Sequence, residues 1–269
     1  MHTKYVVELL YYISGIFAVL THLNKVKWMQ TELKVGISEI FTSVEGEGIY
    51  FGTKTLFVRL AGCNLKCFWC DQPAALSFDD GKRYEIDDAL KLIDQTLIPN
   101  TYKVNFTGGE PLLQHKAVYE MAKHVKSKGL RTYLESSCFS VERFKEILPF
   151  IDICKIEFKL SDSEVVDAEH YDQLLENELK CLEEAIKNKK ATYIKVVISR
   201  LSDKREFEEL TKMVFNKIRA DDIEGFIIQP VYGASEPSLD QLFTFYDTVY
   251  PYYEQVRIVP QLHKVMGVP

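Results

Sequence analysis

A chain of 269 residues with a formal net charge of −6 can bury one sizeable core, and it is too acidic to bind nucleic acid generally, since that affinity comes mainly from Lys and Arg neutralising phosphates. Hydrophobic residues at 46% and charged residues at 27% exclude a disordered or fibrous chain. Six cysteines are too few for a disulfide scaffold; three of them fall within eight residues, which in a reducing compartment such as the cytoplasm points to metal or redox chemistry.

The chain divides into a leader, residues 1–33, and a domain over 34–269. Residues 9–24 carry no Asp, Glu, Lys or Arg, yet this stretch is shorter than the ~20 residues of a membrane-crossing helix. A secretory signal fits poorly: Glu8 interrupts the apolar run and no small-x-small cleavage site follows. The leader is a helix packed on the domain or a partner, a membrane-associated anchor, or an artefact of start-codon choice, Met29 being a plausible native start. No membrane association is expected of the domain itself.

From residue 35 onward, β-rich runs alternate with amphipathic ones. Strands are predicted over 55–60, 103–107, 131–135, 152–158, 193–199 and 225–229, with 255–259 as a further candidate. Helices are predicted over 86–97, 116–128, 141–148, 171–187, 204–218 and 238–250. In the second, Val118, Met121, Ala122 and Val125 share one face and Gly129 marks the stop; in the fourth, Leu175, Leu179, Leu182 and Ile186 do the same. Six strand–helix units predict an α/β fold, a parallel sheet closing as a partial (β/α)6 barrel, with chemistry at the carboxyl ends of the strands. The polar residues there are Arg59, Thr107, Glu135, Lys159, Ser199, Arg200 and Gln229.

Cys63, Cys67 and Cys70 form C-x3-C-x2-C directly after the first of these strands. A structural zinc site wants four ligands, usually from paired C-x2-C knuckles, and a ferredoxin-type cluster wants four cysteines. Neither is completed nearby, and Cys138, Cys154 and Cys181 read as ordinary buried small residues. Three thiolates suit a [4Fe–4S] cluster with one iron left without a protein ligand, a vacancy where a reactant binds. Ala61, Gly62, Phe68 and Trp69 make the loop small and apolar, which tunes such a cluster and restricts water.

This loop, on the first strand of a (β/α)6 pattern, resembles the radical S-adenosylmethionine superfamily. There the amino and carboxylate groups of S-adenosylmethionine chelate the open iron, and one electron cleaves the sulfonium to give a 5′-deoxyadenosyl radical. Thr107-Gly108-Gly109-Glu110-Pro111 matches the superfamily's GGEP motif. Glycines allow a close backbone approach, and Glu110 is suited to accept from a cationic amino group.

The stretch Glu39-Ile40-Phe41-Thr42-Ser43-Val44-Glu45-Gly46-Glu47-Gly48, then Phe57-Val58-Arg59-Leu60-Ala61-Gly62-Cys63, and the tail Gln261-Leu262-His263-Lys264 with Gly267-Val268-Pro269, resemble the family of 7-carboxy-7-deazaguanine synthases from about residue 35 to the end. The resemblance implies a carbon–nitrogen lyase that converts 6-carboxy-5,6,7,8-tetrahydropterin to 7-carboxy-7-deazaguanine with loss of ammonia, on the route to queuosine or archaeosine in tRNA. It implies a [4Fe–4S] cluster on Cys63, Cys67 and Cys70, S-adenosylmethionine that is regenerated, and Mg2+. It assigns Gly108, Gly109, Glu110, Glu157, Phe158, Lys159 and Gln229 to S-adenosylmethionine, and Val44, Glu45, Gly46, Glu47, Arg59, Thr107, His263 and the terminal Pro269 to the pterin. An electron donor such as flavodoxin or ferredoxin and a homodimer follow from the same resemblance, with no direct nucleic-acid contact.

Three departures stand out. Glu45 replaces the usual Gln and is expected to add negative charge to the pocket; Gln72 replaces the usual Thr as magnesium ligand; Glu135-Ser136-Ser137-Cys138 replaces Glu-Thr-Asn-Gly. A glycyl-radical activase would share the cysteine loop and GGEP but leaves the acidic Gly-rich turn and the QLHK tail unexplained. A non-catalytic iron–sulfur carrier needs a fully ligated metal.

Overall fold

A computed structural model describes residues 33–163, 168–233 and 235–268. The leader expected over 1–33 lies almost wholly outside the described residues, as does Pro269. Among the described residues nine strands form one sheet in the order β3-β1-β2-β4-β5-β6-β7-β8-β9. They are β1 Lys34–Val44, β2 Lys54–Leu60, β3 Lys82–Glu85, β4 Lys103–Gly108, β5 Arg131–Ser136, β6 Ile153–Phe158, β7 Ala191–Ile198, β8 Gly225–Pro230 and β9 Arg257–Ile258. From β2 through β4 to β9 all neighbours are parallel. This is the predicted partial barrel, extended at one edge by β1 and β3, which run antiparallel and which the sequence pattern did not reveal.

The helices are α1 Ile86–Thr96, α2 His115–Ser127, α3 Val141–Ile147, α4 Ala168–Lys187, α5 Lys204–Lys217, α6 Leu239–Val249 and the short α7 Leu262–Met266. All six predicted helices are present within a few residues of their expected ends. Their N-termini are held by side-chain caps where the sequence offers them: Ser140 accepts from the Arg143 amide, Asp203 from Arg205 and Glu206, and Ser238 from Gln241. Gly129, at φ +75, provides the left-handed residue that ends α2.

Strand alternation sorts the side chains into two sets. Outward go Leu56, Val58 and Leu60, Val104 and Phe106, Cys154, Ile156 and Phe158, and Ile194, Val196 and Ile198. They join Val118, Met121, Ala122 and Val125 of α2 and Leu179 and Leu182 of α4 in one apolar core. Inward, Tyr133, Ile153, Tyr193, Ile227 and Val259 form a smaller cluster covered by Ile49 and Tyr50 of the turn after β1. Of the remaining inward residues, Arg59, Thr107, Glu135, Lys155, Glu157, Lys195 and Gln229 are polar and line the site. Among the described residues no helix is long and apolar enough to cross a membrane.

Candidate active site

One cavity of about 520 Å³ opens at the carboxyl ends of the parallel strands. The cysteine loop leaves β2 and is tied down by backbone bonds, Gly62 N–H to Ala75 O and Cys63 N–H to Leu76 O, both 2.9 Å. Leu65, buried with Leu174, anchors it against Cys63, Cys67 and Phe139. Cys63, Cys67 and Cys70 all line the cavity with free thiols, and the Leu65 amide donates to Cys63 Sγ at 3.4 Å. Cys138, Cys154 and Cys181 are buried in the outer core, so no fourth cysteine among the described residues reaches the cavity. Three thiols and an amide directed at one sulfur fit a [4Fe–4S] cluster with one open iron. Burial pushes the Cys63 thiol up to about 11 and raises Cys67 and Cys70 as well, so cluster binding displaces protons from this loop.

The diglycine turn packs against this loop. Gly109 N–H bonds Leu60 O at 2.9 Å and Glu110 N–H bonds Gly62 O at 2.8 Å. Gly108 sits at φ +133, and a Cβ there would lie 2.2 Å from Leu60 O; one on Gly109 would lie 2.2 Å from Gly62 O. Only glycine fits either position. Glu110 is fixed by three donors: Leu112 N–H and Ser136 Oγ, each at 2.8 Å to Oε1, and Ser137 N–H at 2.7 Å to Oε2. Burial raises its carboxyl, and those donors hold it against further rise.

Across the floor runs a network of three carboxylates and three ammonium groups. Lys195 Nζ bridges Glu47 Oε2 and Glu157 Oε2, each at 2.8 Å. Lys155 Nζ lies 3.1 Å from Glu157 Oε2 and 3.5 Å from Glu135 Oε2, and Lys159 pairs with Glu157 Oε1. Thr107 and Tyr133 hydroxyls donate to Glu135. Burial opposes every one of these charges. The opposite charges prevail: Glu157 and Glu135 are held below the usual carboxylate range, Glu47 at about 2, and Lys155, Lys159 and Lys195 above the usual amine range.

The two ends of the domain meet here. Leu262 N–H bonds Gly46 O at 2.9 Å, and His263 packs so closely on Gly46 that a Cβ there would lie 2.6 Å from its ring. Gln261 Nε2 reaches Glu47 Oε1 at 2.9 Å and Asp71 Oδ2 at 3.2 Å, and His263 Nε2 stands 3.8 Å from Asp71 Oδ2. Arg59, which lines the cavity, spends its Nε on Glu39 at 3.0 Å and stacks over Phe41, and its terminal N–H groups have no acceptor among the described residues.

Of the residues singled out from sequence, Val44, Glu45, Gly46, Glu47, Arg59, Gln72, Thr107, Gly108, Gly109, Glu110, Glu157, Lys159, Gln229 and His263 line one cavity with the three cysteines. Gln229 Oε1 is buried without a partner among the described residues, as is Ser137 Oγ, which the sequence reading passed over. Phe158 differs: strand alternation turns it outward into the core, fully buried, so its side chain does not meet the cavity. Ser199 likewise turns away, donating to Asp162 at 2.6 Å. The expected surplus charge at Glu45 is also corrected: Lys103 Nζ meets its Oε2 at 2.5 Å. Lys103, Lys155 and Lys195 were missed, although each alternates with apolar residues that a strand turns to the opposite face.

Residues 44–190 match the family described as a 4Fe-4S single cluster domain. Over 253 residues the chain is 35% identical to the 7-carboxy-7-deazaguanine synthase of Methanocaldococcus jannaschii, a match that covers 86% of this chain and 99% of that protein. The chain belongs to the 7-carboxy-7-deazaguanine synthase family. The synthase of Archaeoglobus fulgidus is 30% identical over 247 residues, 88% of this chain and all of that protein. The fold of this family member is similar to the crystal structure of QueE from Escherichia coli, with a TM-score of 0.58 at 20% identity, over 86% of this chain and 96% of that one.

Proposed function

We propose that this protein contracts the ring of 6-carboxy-5,6,7,8-tetrahydropterin to 7-carboxy-7-deazaguanine with loss of ammonia, using S-adenosylmethionine and a [4Fe–4S] cluster. The observation that carries this reading is convergence. The acidic turn Glu45–Gly48, Arg59 and the QLHK tail come from opposite ends of the domain and share one cavity with the three cysteines and Glu110. When bound to Cys63, Cys67 and Cys70, the cluster supplies one-electron reduction of a sulfonium at its open iron.

The chain's own groups do the rest. Glu110, pre-set by three donors, accepts from the methionyl amino group, with Gly109 allowing the backbone to close in. Glu157, Lys159 and the unpartnered Gln229 face the nucleoside end. The free N–H groups of Arg59 take the pterin carboxylate in a forked contact. Glu45 and Glu47 accept from the amino and ring N–H groups, and His263, packed on Gly46, closes the edge. For magnesium the cavity offers Gln72, and ligand atoms of Glu47, Asp71 and His263 lie within 4.8 Å of one another. An external one-electron donor such as flavodoxin or ferredoxin, a homodimer, action in the cytoplasm and a catalytic domain over 34–269 belong to the same reading.

The test is anaerobic incubation of reconstituted protein with 6-carboxy-5,6,7,8-tetrahydropterin, S-adenosylmethionine and dithionite. The expected result is a deazaguanine product identified by mass spectrometry. A cluster whose EPR signal responds to S-adenosylmethionine but yields no such product would overturn the substrate while sparing the cofactor.

A further inference from the structure

Beneath the pterin side of the cavity lies a buried charge to which no ligand role has been given. Lys103 opens β4 on its inward face and is fully buried. Its Nζ donates to Glu45 Oε2 at 2.5 Å and to Thr55 Oγ1 at 2.8 Å, and it lies 4.6 Å from the ring centre of Tyr133. Lys103 does not line the cavity, whereas Glu45 does. The backbone of Glu45 is pinned separately, through Glu45 N–H to Thr53 O and Gly52 N–H to Glu45 O. Among the described residues no donor reaches Glu45 Oε1. One oxygen is therefore committed to Lys103 and the other is left for a ligand.

We infer that Lys103 is a positioning residue: without touching substrate, it holds Glu45 Oε2 and leaves Oε1 as the acceptor for the amino and ring N–H donors of the bound pterin. This rests on the pterin reading above. Without the ammonium, Glu45 Oε2 has no donor, and the carboxylate is free to turn toward Thr55 and away from the ligand. An amide at position 45 facing an intact Lys103 commits its oxygen to the ammonium and turns its NH2 toward the ligand, donor against donor. An amide facing a neutral side chain is free to rotate, NH2 toward Thr55 and oxygen toward the cavity. The pair acts as a unit.

The experiment measures binding of 6-carboxypterin, through its own fluorescence, to cluster-loaded protein, with S-adenosylmethionine binding measured by equilibrium dialysis on the same samples. Lys103→Met and Glu45→Gln are each expected to weaken pterin binding about tenfold or more while S-adenosylmethionine binding stays within about twofold, and the double variant to regain most of the loss. In turnover the single variants raise KM for the tetrahydropterin more than they lower kcat. Native pterin affinity in Lys103→Met, or a double variant no better than the singles, overturns the inference. If Lys103→Met does not fold, Glu45→Gln decides, and native affinity there overturns it. Wild-type protein that neither binds carboxypterin nor turns over the tetrahydropterin overturns the substrate reading instead, before any variant is compared.

Discussion

The two faces of the same parallel strands make a sharp contrast. In β6, Cys154, Ile156 and Phe158 point out into a dry helix-covered core, while Lys155 and Glu157 point in. In β7, Ile194 and Val196 do the first and Lys195 the second. Both faces are buried, so burial does not tell core from site here. What tells them apart is that the inner face carries charges in compensated pairs. An unpaired buried ion costs far more than an apolar side chain, and only pairing and hydrogen bonding keep such a face charged. The inner lysines and glutamates are thus held ready for a polar ligand.

The largest break in this contrast comes at the cysteine loop. Cys67→Ser is expected to abolish activity and to leave anaerobically reconstituted protein short of iron and sulfide, while the fold, which does not depend on the thiol, survives by circular dichroism. Next come matched changes on the two faces. Phe226→Ala removes an outer ring that meets Phe207 edge-on and stacks on Phe215, at about 3–5 kcal/mol in denaturant unfolding, and leaves S-adenosylmethionine affinity unchanged. Lys195→Met strips both Glu47 and Glu157 of a partner; it costs about 3–5 kcal/mol and in addition weakens pterin and S-adenosylmethionine binding together. Equal ligand effects from the two variants would erase the distinction between the faces.

A pH series sharpens it. Glu47 falls from 4.5 to about 2 because Lys195 and Lys155 outweigh burial. Its folded form binds a proton less readily than the unfolded chain, so its stabilisation is complete above about 4.5 and is lost as pH falls toward about 2. The stability difference between wild type and Glu47→Gln, followed by thermal unfolding, should shrink across that window. The smallest effect is at the surface: Lys91→Ala, which breaks an exposed pair with Asp88, should leave the unfolding midpoint unchanged.

The parallel strands and their helices were legible because Val, Ile, Phe and Tyr runs between caps and glycines have few other solutions. β1 was not, because it is an edge-side antiparallel strand whose outer half is only partly buried, and its motif residues masked its β character. β3 is four residues, three of them charged, and is a strand only because β1 offers it a partner. The site was legible where residues cluster in sequence, as in the cysteine loop, GGEP and the acidic turn. Asp71, Gln261 and the three inner lysines acquire meaning only from the fold, which brings β4, β6, β7 and the tail to one floor. The side-chain direction of Phe158 was hidden for the same reason: inclusion in a motif says nothing about which way a strand turns a side chain.

The diglycine turn and the loop after β2 touch main chain to main chain, carbonyl against α-carbon, with no room for a methyl group at either glycine. Neither segment can therefore be transplanted alone. An engineer who grafted the cysteine loop onto another scaffold would have to carry Gly108, Gly109 and Glu110 with it. Random variation faces the same restriction, since a drift in one segment must be answered at once by its neighbour.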